Sequence, residues 1–182
     1  MTNKKFKIIT LGCKVNQFES ASLKASLLDL GLKEVGKGEE ADVTVINTCI
    51  VTQRASYQSR QAIRKSIREN PSGSVAAIGC YGQVFPDELS QIEGLNLIAG
   101  NRVKERLPLI LRETVDAGQQ CLVSEKFGSH EEFQFLPVKG FLDRTRAFLK
   151  IQDGCESFCT YCIVPFARGP VRSLDPSKVL LM

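Results

Sequence analysis

Residues 5–31 have the sequence KFKIITLGCKVNQFESASLKASLLDLG. The β-branched and apolar segment 5–11 predicts a strand that ends at Gly12. Apolar residues then recur near helical spacing over residues 17–30, and Gly31 is typical of a helix end. A strand followed directly by a helix is the repeating unit of a parallel sheet.

The same unit recurs further along the chain. Strands are predicted at residues 43–47, 75–78 and 95–99, and helices at residues 52–69, 86–92 and about 106–115. Because strands alternate with helices on short connections, the predicted fold is α/β, with a doubly wound, mainly parallel sheet. We expect this domain to cover residues 1–124.

A second region is predicted after this domain. Residues 125–143 have mixed charge and no clear period, which indicates a linker. Residues 144–182 are expected to begin another domain, with a strand at residues 148–151. Near its end, Asp175 is suited to cap a helix that has Pro176 at its first position.

Composition narrows the possible classes of protein. The chain has 182 residues, of which 43% are hydrophobic and 24% charged, and a formal net charge of +4. This length leaves room for one full domain and part of a second. No uncharged run reaches the roughly 20 residues of a membrane-spanning helix. The apolar run after the basic start is too short for a signal peptide, so a cytoplasmic location without membrane contact is expected.

Sulfur is the unusual feature of the composition. There are seven cysteines, an odd number that a disulfide framework explains poorly. His130 is the only histidine, so catalytic sites that need a histidine base, and histidine-rich zinc sites, are disfavoured. Any chemistry is therefore expected to come from the cysteines.

Three cysteines lie within eight residues, at Cys155, Cys159 and Cys162. Soft thiolates select iron–sulfur clusters, zinc or copper(I), and no fourth cysteine or histidine lies nearby. A structural zinc ion usually has four protein ligands. An iron–sulfur cluster with one open position is therefore favoured, with zinc or inert surface thiols as the alternative.

Three further cysteines are dispersed, and each lies at or just past the end of a predicted strand. They are Cys13, Cys49 and Cys80. Because ligands of parallel α/β sheets gather beyond the carboxyl ends of the strands, these thiols are expected to converge. They could hold a second cluster with an open iron, or be three buried packing residues.

The compact motif, with Tyr161 directly before its last cysteine, resembles that of the radical S-adenosylmethionine enzymes. The resemblance implies that Cys155, Cys159 and Cys162 hold a [4Fe-4S] cluster. Its fourth iron would bind S-adenosylmethionine, whose reductive cleavage gives a 5′-deoxyadenosyl radical. The cofactor-binding residues would include Tyr161.

A wider set of motifs is similar to the methylthiotransferases within that class. It comprises LGCKVNQ at residues 11–17, NTC at 47–49, GC at 79–80 and ARG at 167–169. The resemblance implies an auxiliary [4Fe-4S] cluster on Cys13, Cys49 and Cys80, whose open iron takes the sulfur that is methylated and inserted at an adenine carbon. The segment around Cys13 is most similar to the enzymes that act on threonylcarbamoyladenosine beside the tRNA anticodon. The implied partners are tRNA and an electron donor protein, while the sulfur donor is left open.

Length sets a limit to this resemblance. A radical S-adenosylmethionine barrel needs several further strand–helix units, so residues 144–182 are expected to be only its first strand and cluster loop. The chain is then expected to be an incomplete, inactive portion of the enzyme. The alternatives are a non-catalytic iron–sulfur or zinc module that contacts RNA or a protein partner, and a truncated product. Beside the compact motif, Arg168 is the residue most expected to contact RNA phosphates.

Overall fold

The computed structural model of the protein describes residues 4–36, 38–114, 120–136, 138 and 148–180. Within these residues, six strands form one sheet in which every neighbouring pair is parallel. In order across the sheet they are β2 (Lys33–Glu34), β1 (Lys5–Thr10), β3 (Val43–Thr48), β4 (Ser74–Gly79), β5 (Leu97–Ala99) and β6 (Cys121–Val123). The predicted parallel sheet is confirmed.

Helices cover both faces of this sheet. They are α1 (Lys14–Asp29), α2 (Gln53–Glu69), α3 (Cys80–Val84), α4 (Pro86–Ser90) and α5 (Leu107–Thr114), with a 3₁₀ turn at Asn101–Val103. Leu23 and Leu27 of α1 share one core cluster with Leu107 of α5, whereas Ile63 of α2 and Leu89 of α4 belong to the other. The sheet is therefore doubly wound, as predicted.

The central strand shows why the sheet needs two layers of helices. All six residues of β3 are buried, which is typical of a parallel strand covered on both faces. Val43 and Val45 face the cluster that contains α1, and Ile46 faces the cluster that contains α2. The alternation along β3 thus supplies both layers of the core.

The structure begins α1 earlier than the sequence predicts. The predicted helix starts at residue 17, but α1 starts at Lys14 and has Cys13 in extended conformation as its N-cap residue. The amide of Gln17 donates to the carbonyl oxygen of Cys13 over 3.2 Å, which closes the first turn. Cys13 is therefore fixed at the junction between β1 and α1.

The second region differs from its prediction. Residues 148–151 form no strand; instead β7 (Gln152–Asp153) pairs antiparallel with β8 (Arg172–Ser173). The apolar residues that suggested a strand, Leu149 and Ile151, are about half exposed, whereas Lys150 between them is buried. The predicted strand is wrong. The ammonium group of Lys150 pairs with the buried carboxylates of Glu19 and Asp153, so the polar residue of this segment lies inside and its apolar neighbours lie outside. No parallel barrel strand is present among the described residues 148–180.

Two short helices complete this region, α6 (Val164–Arg168) and α7 (Pro176–Val179). The predicted cap of α7 is confirmed, because Asp175 Oδ1 accepts a hydrogen bond from the amide of Ser177 over 2.8 Å. The end of the predicted helix at Val115, most of 137–143 and the start of 144–182 lie outside the described residues. In the described part of the chain, no helix has the length and apolar character needed to cross a membrane.

Candidate metal centre

The three dispersed cysteines lie at the same edge of the sheet. Cys13 follows β1, Cys49 follows β3 and Cys80 follows β4, and these strands are direct neighbours. The order in which strands are added to the sheet reverses between β1 and β3, because β2 lies on one side of β1 and all later strands lie on the other. A crevice is expected at such a switch point, beyond the carboxyl ends of the strands. Cys13 is exposed there, whereas Cys49 and Cys80 are buried.

The loops after β1 and β3 are in close contact. Gly12 adopts a φ of +94°, and a Cβ atom built on it would lie 2.6 Å from Cβ and 2.7 Å from Sγ of Cys49. Only glycine fits this position, because a side chain would be strained and would displace the cysteine. The absence of a side chain at residue 12 thus lets the chain bring Cys13 beside Cys49.

Buried polar side chains hold these loops in place. Asn16 Nδ2 donates to the carbonyl oxygens of Leu11 and Thr48 over 2.8 and 3.0 Å, which ties the end of β1 to the end of β3. Ser59 of α2 donates to the carbonyl oxygen of Cys49 and accepts from its amide. Each loop is therefore fixed by side chains from the helix next to it.

The third loop is held by a side chain from the neighbouring strand β3. The hydroxyl of Thr48 donates to the carbonyl oxygen of Ile78 over 2.6 Å and accepts from the amide of Tyr81 over 3.2 Å. Burial raises the pKa of the Cys49 thiol, and the nearby sulfur atoms of Cys80 and Cys13 raise it further. Cys49 follows β3, which lies between β1 and β4, the strands that precede Cys13 and Cys80.

A buried ion network joins α1 to the second cysteine region. Glu19 Oε1 accepts from Arg168 Nη1 over 2.9 Å and from Lys150 Nζ over 3.0 Å, and Oε2 pairs with Lys104. Asp153 pairs with Arg168 over 3.0 Å and with Lys150 over 2.7 Å. Burial alone would raise the pKa of Glu19, but Lys104, Arg168 and Lys150 hold it well below its usual range.

This network has more positive than negative charge among the described residues. Its two carboxylates, Glu19 and Asp153, face four cations, namely Lys104, Lys150, Arg168 and Arg172. Although burial opposes it, attraction to Glu19 and to Cys80 raises the pKa of Arg168 well above its ordinary value. Negative charge on the sulfur atoms of the three cysteines would offset this excess. Of the three dispersed cysteines, Cys80 is the one with which both Arg168 and Lys104 interact.

The compact cysteine motif forms a loop between β7 and α6. The loop turns at Gly154, whose φ is +80° and where a Cβ atom would lie 2.0 Å from the carbonyl oxygen of Pro170. The amide of Cys155 donates to the carbonyl oxygen of Gly169, which closes the loop. The backbone and side chain of Ser157 hydrogen-bond to Cys155 and lower the pKa of its thiol. Cys159 is exposed, and Cys155 and Cys162 are half-buried.

Neither set of cysteines forms a ready-made site for a single ion. Within the part of the chain that the structure describes, no three histidine, cysteine, aspartate or glutamate side chains are arranged to hold a metal ion. The structure brings the dispersed set to one edge and leaves the compact set on its own loop. All seven cysteines are free thiols.

The sequence matches a known family over the region that forms this edge. The model described as "Uncharacterized protein family UPF0004", the N-terminal domain of methylthiotransferases, matches residues 5–100. That region contains β1 to β5 and all three dispersed cysteines. The chain belongs to the methylthiotransferase family.

Individual methylthiotransferases are similar over nearly the whole chain. Threonylcarbamoyladenosine tRNA methylthiotransferase MtaB of Aquifex aeolicus (strain VF5) is 40% identical over 171 residues, which are 94% of this chain and 42% of that protein. The MtaB of Bacillus subtilis (strain 168) is also 40% identical, over 94% of this chain and 38% of its own length. A tRNA-2-methylthio-N(6)-dimethylallyladenosine synthase of Dictyoglomus thermophilum is 32% identical over 97% of this chain and 40% of that protein. The chain spans about two fifths of the length of these curated relatives.

Two further predicted site residues, which lie outside the matched region, differ in environment. Tyr161 is 89% exposed beside Cys162. Arg168 is buried, and its partners Glu19, Asp153 and Asn16 are all inside the protein. This burial differs from the surface position that a phosphate contact requires, so the structure assigns Arg168 to the ion network. Its contact with RNA stays a prediction.

Several buried polar residues near the cysteines were missed by sequence reasoning. Glu19 lies within an otherwise ordinary helical pattern, and Asn101 follows a short strand. Both are buried polar residues, as is Asn16. No apolar periodicity marks these positions, so their burial could not be recognised from the local sequence pattern.

Proposed function

We propose that this chain carries both cluster-binding regions of a tRNA methylthiotransferase that acts on threonylcarbamoyladenosine. Cys13, Cys49 and Cys80 would hold an auxiliary [4Fe-4S] cluster. The loop of Cys155, Cys159 and Cys162 would hold a second one, to which S-adenosylmethionine binds. The relatives named above support this substrate class, since the most similar ones that we describe carry it in their names.

One observation carries the proposal. Three cysteines far apart in sequence lie at the carboxyl ends of three neighbouring parallel strands, beside a buried excess of positive charge. An inert packing cysteine at residue 80 would gain nothing from that charge, whereas a ligand thiolate there would be attracted by Arg168 and Lys104. The donor set, soft sulfur without histidine, suits an iron–sulfur cluster.

The residues around the compact loop suit a small molecule. A cavity of about 730 Å³ lies beside this loop, between Val84 of α3, Phe127, and Phe158 and Phe166 on the loop side. Pockets of this size are typical of cofactor sites. The exposed ring of Tyr161 is available for contact with S-adenosylmethionine, while Ser157 favours the thiolate form of Cys155.

The proposal gives a separate role to each region of the chain. When bound, the two clusters and S-adenosylmethionine would supply the sulfur and the radical chemistry of methylthio transfer. The domain of residues 1–124 fixes the three dispersed thiols, and residues 144–182 present the second trio, with residues 125–143 as the linker. The proposal includes tRNA and an electron donor protein as partners, a radical barrel completed in a longer protein, and a cytoplasmic location, which the free thiols suit.

Anaerobic reconstitution with iron and sulfide tests the clusters. The chain is expected to bind about eight irons, four for each trio of cysteines. The single changes Cys13→Ala and Cys155→Ala should each reduce this to about four, because each removes one ligand from one cluster only. Iron and acid-labile sulfide analysis, with the absorption spectrum, measures both results.

Cys121 supplies the matched control. It lies in β6 and packs against the core cluster of α1 and α5, away from both trios in sequence. Cys121→Ala should therefore keep all the iron. Stoichiometric zinc in place of iron would contradict the proposal and favour a non-catalytic metal-binding module. Iron loss in Cys121→Ala equal to that in Cys13→Ala would also contradict the proposal, because the loss would then not depend on the proposed ligands.

The substrate is tested on tRNA from cells that lack the gene. Mass spectrometry of the nucleosides should show loss of the methylthio form of threonylcarbamoyladenosine, with the unmodified precursor retained. Unchanged threonylcarbamoyladenosine derivatives, with loss of the methylthio form of an isopentenyl-type adenosine instead, would assign the chain to the other branch of the family.

A further inference from the structure

Asn101 connects the two cysteine regions. It begins the 3₁₀ turn after β5 and is 2% exposed. Its Nδ2 donates to the carbonyl oxygen of Ala167 over 2.6 Å and to the sulfur of Cys80 over 3.5 Å. A single buried amide thus contacts one dispersed cysteine and the helix α6 that follows the compact loop.

The contact with Ala167 fixes the orientation of this amide. A backbone carbonyl only accepts hydrogen bonds, so the NH₂ group of Asn101 must face Ala167. The reversed amide would place two oxygens against each other. One of the two N–H groups is used there, and the other therefore points at Cys80 Sγ.

The other half of the amide shows that this arrangement is costly. Asn101 Oδ1 is buried and has no hydrogen-bond partner among the described residues. A buried polar atom without a partner destabilises the folded protein, and an apolar residue of the same shape would avoid that penalty. The contribution that an apolar residue could not make is therefore the pair of N–H contacts to Ala167 and Cys80.

We propose that Asn101 is a positioning residue that tunes the auxiliary cluster through the Cys80 thiolate. This inference rests on the proposed function, which places that cluster on Cys13, Cys49 and Cys80. An N–H group directed at a ligand sulfur stabilises the more negative, reduced form of a cluster and so raises its reduction potential. Through Ala167, the same amide also fixes α6, and with it Arg168, next to this ligand.

The test uses a background in which only the auxiliary cluster can form. In the chain with Cys155→Ala, Cys159→Ala and Cys162→Ala, reconstitution should give about four irons. A redox titration followed by electron paramagnetic resonance then compares Asn101 with Asn101→Leu. We expect the ratio of oxidised to reduced cluster at a fixed potential to rise about tenfold, which is a midpoint lower by about 59 mV for one electron.

Gln83 is the matched control, because it is another buried amide close to Cys80 in the chain. Its Nε2 donates to the carbonyl oxygen of Glu125, and its Oε1 accepts from the amide of Arg102. Gln83→Leu should leave the midpoint unchanged. Asn101→Asp keeps the shape of the side chain and replaces the donor by an oxygen, so it should lower the midpoint in the same direction as Asn101→Leu.

The outcomes separate this inference from the proposed function. A background variant that binds no iron would overturn both. A four-iron cluster whose midpoint is the same with Asn101 and with Asn101→Leu would overturn only the role of Asn101. Loss of iron from both Asn101 variants, with iron retained in Gln83→Leu, would also overturn that role and make the residue a purely structural support.

Discussion

Replacement of Glu19 by glutamine is expected to lower the free energy of unfolding by about 3–5 kcal/mol. The side chain of Glu19 is 2% exposed and pairs with Lys104, Lys150 and Arg168. Glutamine keeps the shape but removes the charge, which leaves three cations buried with less compensation. Urea unfolding followed by circular dichroism measures the loss.

Glu69 offers a matched control on the surface. It pairs with Lys65 over 3.6 Å, and both side chains are more than half exposed. Because water screens such a pair, Glu69→Gln should change the free energy of unfolding by less than about 1 kcal/mol. If Glu19→Gln were no more damaging than Glu69→Gln, the buried network would not be an element that stabilises this fold.

The same residue predicts how stability depends on pH. The pKa of Glu19 is lower in the folded protein than its ordinary value of about 4.3, so between these two values the unfolded chain binds more protons. The stabilisation is therefore fully present above the ordinary value and is lost as the pH falls through the folded pKa. Asp153, whose pKa is also lowered, adds a loss of the same sign. In Glu19→Gln, unfolding measured over the acid range should show a shallower dependence on pH.

Most of the sheet could be predicted from the sequence because most of its strands are short apolar runs, and glycine lies at or just after the end of β1, β4 and β5. The parallel arrangement followed from the alternation with helices, and so did the shared edge of Cys13, Cys49 and Cys80. The edge strand β2 was missed because its two residues, Lys33 and Glu34, have no apolar signal. Its pairing with β1 depends on the chain returning after α1, which is a property of the tertiary fold.

The second region shows where local pattern fails. The apolar run predicts a strand at residues 148–151, but Leu149 and Ile151 are about half exposed and Lys150 between them is buried. The buried carboxylate of Glu19, which is 131 residues away in sequence, pairs with Lys150 and holds it inside the protein. Such long-range charge pairing has no local periodicity, and for the same reason the partners of Arg168 and the role of Asn101 could not be predicted from the sequence.

Gly12→Ala is expected to destabilise the domain by about 2–5 kcal/mol and to remove the auxiliary cluster. An alanine at a φ of +94° costs about 1–2 kcal/mol, and crowding against a packed side chain adds about 1–3 kcal/mol. Its Cβ would overlap Cys49, which cannot move freely because Ser59 fixes its backbone. Iron after reconstitution should fall from about eight to about four per chain, while the compact motif keeps its share.

Gly38 separates backbone strain from crowding. Its φ is +92°, nearly that of Gly12, but a Cβ atom built there meets nothing within 4 Å. Gly38→Ala should therefore show only the strain, about 1–2 kcal/mol, and keep all of its iron. The difference between the two variants isolates the contact between residue 12 and Cys49. Equal stability and equal iron in both variants would mean that close approach of these two loops is not needed to hold the three thiols together.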